Sequence, residues 1–411
     1  GRNVAALFLK RGALLKEKAS KEKMKETNKK ILYKEIYTNP LISRASLARK
    51  FKMSPATVTN LCSEMIEENL INEAGSSEST GGRKPIILKI NENYKTILGI
   101  KIGVGYLNFY LSNLMGEKIF SFEIENRNYK NSESTIEKIT EEFEKMIAEK
   151  RIVKKDILGV GVSVSGIVDT LTGIVTDSHI LNWRDVFIGK KLREKLGLNI
   201  YILNDLDSFA LAQLWKGKAS NFANCFFITV GSGIGGSMTN NGKLFSLTGA
   251  PLEIGHLSIL KDGKSCDCGS EGCLEAQIGF GAITKYIYEE TEIDSLKNEY
   301  KSLEMDEYSE IDYLRKAKKS DEKVFVKIFE NYSYFLGLSL KNIINLFSPD
   351  YILIGGEAME FKEYFLEKSI EIAKKNSFGR LSLKIVFDQD KLGEDSWVLG
   401  GIYRVIESNL F

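Results

Sequence analysis

Residues 96–105 read TILGIKIGVG, and residues 224–236 read NCFFITVGSGIGG. Each is an apolar, β-branched run that ends in glycines, the mark of a strand stopping at a tight backbone turn. Their continuations are also alike. The first run leads into Tyr106 to Asn113 and then Gly116-Glu117-Lys118-Ile119; the second leads into Ser237 to Asn240 and then Asn241-Gly242-Lys243-Leu244-Phe245. Both units read as strand, glycine turn, strand, Asn/Gly turn and strand, so the body is expected to be an internal duplication with a cleft between two lobes.

Further strand-then-turn segments lie at Leu158 to Ser165 (LGVGVSVS), Ile200 to Asn204 (IYILN) and Tyr351 to Gly356 (YILIGG). Strands alternating with helices define an α/β body. The helix before the last of them carries Phe325, Ile328, Phe329, Tyr332, Phe335, Leu336, Ser339 and Ile343 near helical spacing, a stripe read as core rather than a cofactor box. Glycine at strand ends lets backbone N–H groups approach a phosphate or a sugar, although tight packing alone also asks for glycine.

The chain of 411 residues is long enough for two or three domains. With 43% hydrophobic and 27% charged residues and 5 prolines, its composition excludes collagen-like and disordered chains. No apolar run approaches the ~18 residues of a membrane-spanning helix, so a soluble, cytoplasmic protein with no membrane partner is expected. The apolar patch Val4 to Leu9 is closed by Lys10 and Arg11 without a cleavage pattern, unlike a signal peptide; residues 1–23 read as a leader or upstream extension. Five cysteines, three of them within eight residues, suggest reduced thiols or a metal site rather than disulfides.

The net charge of +2 hides an asymmetry. Residues 1–92 hold 18 Lys+Arg against 10 Asp+Glu, and the remainder holds 39 against 45. A basic N-terminal part is a candidate for phosphate contact, or simply a solvated face. Its pattern is more specific. One helix places Ile31, Leu32, Ile36 and Tyr37 on one side before Asn39-Pro40; a second starts at Ser43 with Leu47, Ala48 and Phe51 inward. Ser54 then offers an N-cap and Pro55 a first helical residue, followed by an inward stripe of Val58, Leu61, Cys62 and Met65.

The opposite side of that third helix, with Ala56, Thr57, Thr59, Asn60 and the cap Ser54, is small and hydrogen-bonding, suited to base edges in a major groove. Residues 76–85 (SSESTGGRKP) read as a tip between two strands, the second being Ile86 to Ile90, with Arg83 and Lys84 placed to reach DNA phosphates or a minor groove. This is a winged helix-turn-helix; the plainer alternative is a three-helix interaction domain with a polar face.

The most specific local pattern is Cys266-x-Cys268-x4-Cys273, preceded by His256. Three thiolates and an imidazole make a closed, tetrahedral structural zinc (Zn2+) site, with no open position for catalysis. Glu253, Glu275 and the Asn204-Asp205 pair at a strand end supply polar groups able to bind the vicinal hydroxyls of a sugar if the fold brings them together; singly, each suits a solvated surface equally well. His256 would join the two, one ring nitrogen on the metal and the other toward a ligand.

Together, Glu253-Ile254-Gly255-His256, the run from Cys266 to Glu275 (CDCGSEGCLE) and the winged helix joined through Gly81-Gly82-Arg83-Lys84-Pro85 resemble the ROK family, specifically its sugar-responsive repressor branch. The resemblance covers residues 26–411. It implies an actin-like (ribonuclease H-like), two-lobed sugar-kinase fold, structural zinc on His256, Cys266, Cys268 and Cys273, and sugar contacts from Asn204, Asp205, Glu253, His256 and Glu275. In kinase members the residue matching Asp205 is the general base. Family kinases also carry Asp-x-Gly-x-Thr in the first glycine turn, where this chain has Lys101-Ile102-Gly103-Val104-Gly105. An amine replaces the carboxylate that works with the metal, which should cripple phosphoryl transfer, while the second turn, residues 231–236, keeps a phosphate-competent look.

The domains are expected at 24–90 (winged helix-turn-helix), 91–212 with 393–411 (first lobe) and 213–392 (second lobe with the zinc site). The expected function is a non-enzymatic, sugar-responsive transcriptional repressor that binds double-stranded operator DNA as a homodimer or homotetramer. The alternatives are an ATP-dependent sugar kinase, and a regulator controlled by a transport-system protein. Ser165, Gly166, His179 and Asn182 fall in segments able to line the pocket.

Overall fold

The computed structural model describes residues 22–40, 42–76, 86–245, 251–303 and 307–410. At the N-terminal end, α1 (residues 22–38), α2 (Arg44–Phe51) and α3 (Pro55–Glu67) enclose one core, closed by a small antiparallel sheet of β1 (Ile42–Ser43), β2 (Ile71–Ser76) and β3 (Ile86–Ile90). The Ser43 side chain caps α2 by accepting from Ser46 N–H, and Ser54 caps α3 by accepting from Thr57 N–H at 3.1 Å, with Pro55 at the first helical position. Leu32, Ile36, Leu47, Val58, Leu61, Cys62 and Met65 fill the core.

The N-terminal helices differ from the sequence expectation in two details. Ile31 faces outward and Tyr33 takes the inward place, because Tyr37, on the same helix, turns toward the body of the protein. The second helix begins at Arg44, with Ser43 outside it as cap.

The body carries two five-stranded sheets of identical layout. In the first, β4 (Thr96–Ile102), β5 (Tyr106–Ser112) and β6 (Lys118–Glu125) form an antiparallel meander; β7 (Ile157–Val164) pairs parallel to β4, and a fifth strand, Ile200–Asn204, pairs parallel to β7. Three short strands intervene, β8 (Ile167–Asp169), β9 (Ile174–Ser178) and β10 (Trp183–Val186), which makes that fifth strand β11. In the second sheet β12 (Cys225–Val230), β13 (Ile234–Asn240) and β14 (Lys243–Leu244) form the meander, and β15 (Tyr351–Gly355) and β16 (Val386–Gln389) add in parallel. The duplication read in the two glycine-ended runs is thus a repeated topology.

Helices cover both sheets. α4 (Ser132–Glu149) and α5 (Ile188–Leu196) pack on the face of the first sheet that carries Leu98, Ile100, Val160 and Val162. α6 (Asp205–Lys216) follows β11; α7 (Leu274–Ile278), α8 (Phe280–Glu290), α9 (Asp294–Lys301), α10 (Glu307–Ser320), α11 (Glu322–Phe347) and α12 (Leu366–Asn376) belong to the second half. The stripe on α11 lies in the core there, with Phe335 partly buried and the other seven buried.

The last helix, α13 (Asp395–Leu410), lies on the other face of the first sheet, and glycines let it lie so close. A Cβ on Gly161 would stand 2.1 Å from Gly401 O, and one on Gly99 2.4 Å from a Val398 methyl. α13 also crosses α6, where a Cβ on Gly400 would stand 1.9 Å from Ser208 O. Ala is the better helix former by about 1 kcal/mol, but a backbone clash of this kind cannot be relieved by a rotamer and costs about 3 kcal/mol. Gly400→Ala is therefore expected to destabilise the protein by about 2 kcal/mol net, read as a lower urea midpoint at unchanged slope.

α1 is bound to this helix pair. Tyr37 donates its hydroxyl proton to Leu114 O at 2.8 Å in a buried bond, and its ring meets Trp215 of α6 edge-on at 5.3 Å. Trp215 stacks on Tyr403 of α13 at 5.1 Å, and Leu410 packs against the N-terminal core. Among the described residues no helix is long and apolar enough to cross a membrane.

Candidate functional site

The candidate site is built around the start of α6. Asn204 ends β11 and caps α6, accepting from Leu206 N–H at 2.8 Å and donating to Gly166 O at 2.7 Å. It is 1% exposed, so its amide holds the turn rather than standing open to solvent. Asp205 follows, half-buried, and accepts from Leu206 N–H at 2.9 Å and from the Ser165 hydroxyl. Burial raises its carboxyl above the ordinary range; the Lys101 charge and these hydrogen bonds oppose that. Sequence reasoning missed Asp207, buried on the same turn of helix, which accepts from Ser237 of β13 at 2.7 Å and ties α6 to the second sheet.

Glu253 precedes a 3-10 turn, Ile254–His256, which ends in His256. Gly255 is required there, since a Cβ would stand 2.3 Å from Ile234 O. Glu275, on α7, accepts from Ile234 N–H at 2.8 Å, at the second glycine turn. Burial raises the Glu253 carboxyl; His256 opposes this, and Glu275 and Asp205 add to it. Asp205, the Glu253–His256 turn and Glu275, which come from three separate segments, therefore share one electrostatic neighbourhood. Ser165 and Gly166 reach the same region through Asp205 and Asn204, whereas His179 and Asn182 are exposed beside the β9–β10 hairpin.

His256, Cys266, Cys268 and Cys273 place one ligand atom each within 4.8 Å of one another, a set able to hold a metal ion. Cys266 Sγ lies 3.6 Å from His256 Nδ1, and Cys268 Sγ lies 3.7 Å from Cys273 Sγ. The turn that presents them is closed by Cys266 N–H on Ser270 O at 2.8 Å, with Gly269 at a φ of +87°. The backbone N–H of Ser270 pulls the Cys268 thiol down to about 7, whereas burial pushes the thiols of Cys266 and Cys273 up.

The second glycine turn is lined by acids. Ser232 donates to Glu310 at 2.8 Å, and a Glu357 carboxylate oxygen lies 1.8 Å from where a Cβ on Gly231 would stand.

On the N-terminal domain, Ala56, Thr57, Thr59 and Asn60 are exposed together on the outer side of α3, beside the cap Ser54. Ser54 is engaged as the cap, with its oxygen 2.8 Å from Thr57 Oγ1. Arg83 and Lys84 lie outside the described residues, as do residues 1–21. Sequence reasoning overlooked another source of positive charge: Arg49 and Lys52, exposed at the end of α2 just before the Ser54 cap, with Lys50 between them paired to Glu35 at 2.7 Å. The signal was the spacing of basic residues in ARKFK just before the cap.

A two-lobed, duplicated α/β body joined to a winged helix-turn-helix defines a class of protein, and comparison places the chain in it. Residues 97–407 match the ROK family and residues 24–72 the winged helix-turn-helix DNA-binding family; the chain belongs to the ROK family. It is 31% identical to the xylose repressor of Caldicellulosiruptor bescii over 94% of this chain and 97% of the relative. It is 26% identical to the xylose repressor of Bacillus subtilis (93% and 96%) and 26% identical to the transcriptional dual regulator NagC of Escherichia coli (84% and 83%). In fold it resembles a ROK family transcriptional regulator described as a homolog of the E. coli MLC protein, with a TM-score of 0.80 at 23% identity over 94% of this chain and 98% of that one. A ROK glucokinase from Streptomyces griseus resembles the body, with a TM-score of 0.61 at 21% identity over 75% and 98%.

Proposed function

We propose that this chain is a cytoplasmic, sugar-responsive transcriptional repressor that binds operator DNA through its winged helix-turn-helix and is released by a sugar bound between the lobes. The observation that carries this reading is the connection from Asp205, at the start of α6 in the cleft, through Trp215 near the end of the same helix to Tyr37 of α1. Relatives named as repressors, similar over nearly their whole length, support it. The units are assigned as 24–90 for DNA, 91–212 with 393–411 for the first lobe and 213–392 for the second. Two copies would set two α3 helices in successive major grooves of a palindromic operator, so a homodimer or homotetramer is assigned.

Asp205, Glu253, His256 and Glu275 are assigned to sugar hydroxyls, with Asn204 shaping the turn that presents them. His256, Cys266, Cys268 and Cys273 are assigned a structural zinc: Zn–S bonds of ~2.3 Å and a Zn–N bond of ~2.0 Å give tetrahedral edges of roughly 3.8 Å between sulfurs and roughly 3.5 Å between sulfur and nitrogen, close to the 3.7 Å and 3.6 Å here. His256 Nδ1 lies 3.6 Å from Cys266 Sγ and is assigned to the metal, which leaves Nε2 for a ligand. When bound, the ion holds the loop and does no chemistry on a substrate.

A kinase reading is disfavoured by charge. Lys101 stands where a metal-binding carboxylate is needed, and Glu310 and Glu357 crowd the second turn, where phosphates would meet negative charge. Asp205→Asn separates the two. It should leave operator affinity in the absence of sugar within about threefold of the parent while abolishing release by sugar. The unaltered protein should form no ADP from ATP and any sugar; steady ADP formation would favour a kinase.

For the DNA face, Asn60→Ala is expected to change sequence preference at one base position, by about 1–3 kcal/mol of discrimination. Arg83→Ala should weaken all sequences alike and lower the salt slope by about 1. Anisotropy titrations on a panel of operator variants at several salt concentrations would read both.

A further inference from the structure

One end of the second half carries a broad apolar surface. The segment that leaves α12 and enters β16, residues 374–386, reads KKNSFGRLSLKIV. Phe378 N–H donates to Asn345 Oδ1 at 2.9 Å, which seats this segment against the end of α11, and Ser382 donates its hydroxyl proton to Lys374 O at 3.2 Å, which folds it back on α12. Ser382 and Ile385 are buried and hold it down, whereas Phe378 is 79% exposed, Leu383 73% and, on α11, Leu346 70%. Phe347, Leu381 and Val386 are exposed to a lesser degree. Phe347 precedes β15 and Val386 opens β16; since β12, β15 and β16 run parallel, this surface lies at the end of the sheet opposite the glycine turn that follows β12.

A whole aromatic side chain presents about 150–250 Å², so these six residues expose on the order of 600 Å². That is as large as the largest apolar patch of an ordinary monomer, about 300–600 Å². A stable dimer covers about 800 Å² on each partner, about 65% of it apolar. The patch with its border is therefore the size of one half of a dimer contact. The border is basic: Lys374, Lys375, Arg380 and Lys384 are exposed, and no acid stands between Glu371 and Asp388. Long basic side chains at a rim keep their charge in water while the apolar centre closes.

The position also suits a protein that must present two DNA-reading helices. Asp388, two residues after Val386, pairs with Lys218 at 3.1 Å, and Lys218 lies three residues after Trp215, whose ring meets Tyr37 of α1. The patch and the N-terminal domain thus share the far end of α6, so two copies joined here carry both winged helix-turn-helix domains near the contact, as a palindromic operator requires.

We propose that this patch is the face through which two copies of the chain join about a two-fold axis, with Leu346, Phe378 and Leu383 of each at its apolar centre. This rests on the reading of the chain as a homodimer on DNA and names the surface that makes it.

The test is sedimentation of the full-length protein without DNA over a concentration series, beside Phe378→Ser, a triple variant (Leu346→Ser, Phe378→Ser, Leu383→Ser) and Leu171→Ser, a control at a side chain 96% exposed in the β8–β9 turn. Circular dichroism and affinity for a single operator half-site are measured alongside. The parent and Leu171→Ser should be dimers of equal affinity, Phe378→Ser should dimerise at least about tenfold more weakly, and the triple variant should be a monomer. All four should bind the half-site within about threefold of one another, while the triple variant loses its advantage on the full palindrome. Should the triple variant lose its helical signal, the single variant decides. Because the border charges are alike, the parent dimer should be no weaker at about 1 M salt than at about 0.1 M. Dimers as tight in Phe378→Ser and the triple variant as in the parent would overturn this face and leave the homodimer reading standing. A dimer that salt dissociates would mean ion pairs carry the contact, also against the proposal. A monomeric parent would overturn the homodimer reading and the face together, leaving the patch to another occupant such as residues 1–21 or a different protein.

Discussion

Cys273→Ser protein is expected to bind operator DNA normally and to stop responding to sugar. Cys273 is fully buried, and its Sγ faces Cys268 Sγ at 3.7 Å and His256 O at 3.5 Å. The segment between Leu257 and Cys273 is otherwise held by isolated bridges, Ser258 with Cys273 and Ser265 with Glu271, and by single backbone bonds. A structural zinc contributes about 10–16 kcal/mol of apparent binding energy in small peptides, far more than those bonds replace at about 1 kcal/mol each. Losing one ligand should therefore free the loop, and with it His256 and the adjoining Glu253 and Glu275.

The N-terminal core, built on Leu32, Leu47 and Leu61, has no part in that loop. Zinc content should fall from about one per chain to near zero, sugar affinity by more than about a hundredfold, and amide protection over residues 257–275 should be lost. Operator affinity without sugar should stay within about threefold. Loss of operator binding as well would mean that the metal supports more than the loop.

The second large effect is expected at the far end of α6. Trp215→Ala should leave sugar bound but unable to release the operator. Ten residues separate Asp205 from Trp215, about 15 Å along a helix, and the Trp215 ring is the surface shared by Tyr37 of α1 and Tyr403 of α13. Truncating a buried Trp costs about 3–5 kcal/mol, and this half-buried one less, so the fold should survive while the contact is lost. Sugar affinity is expected within about threefold of the parent, and release by saturating sugar to fall by about tenfold or more. Tyr37→Ala removes the same contact from the other side and should behave alike; Trp215→Phe should retain the response. Normal release in both alanine variants would show that the signal travels elsewhere.

Local patterns were readable from sequence because their causes are local. The Ser54 cap with Pro55, the stripe from Val58 to Met65 and the repeated glycine-ended strands need only neighbours in the chain. The Cys/His set was readable because four metal-ligating side chains of two types fall within eighteen residues.

What was not readable depends on distant partners. Ile31 turns outward because Tyr37 docks on Leu114, 77 residues away. Asp207 joins the site through Ser237, 30 residues on, and Gly161 is glycine because of Gly401. The burial of Asn204 depends on Gly166, 38 residues earlier, so a side chain that reads as an open polar group is already spent on the turn. Lys101 lies 4.8 Å from the ring centre of Trp397, at the opposite end of the body from β4 in sequence.

The most direct measurement is a fluorescence-anisotropy titration of genomic fragments recovered with the full-length protein, repeated at one salt concentration with a panel of pentoses, hexoses and amino sugars. Turning occupancy from 99:1 to 1:99 requires a sugar that prefers the released conformation by roughly 5.5 kcal/mol, and a smaller preference gives partial release. Tight, sequence-specific binding that a single sugar weakens, with no requirement for ATP, is the predicted result. Specific binding that no sugar alters, or no specific DNA binding at all, would contradict a sugar-released repressor.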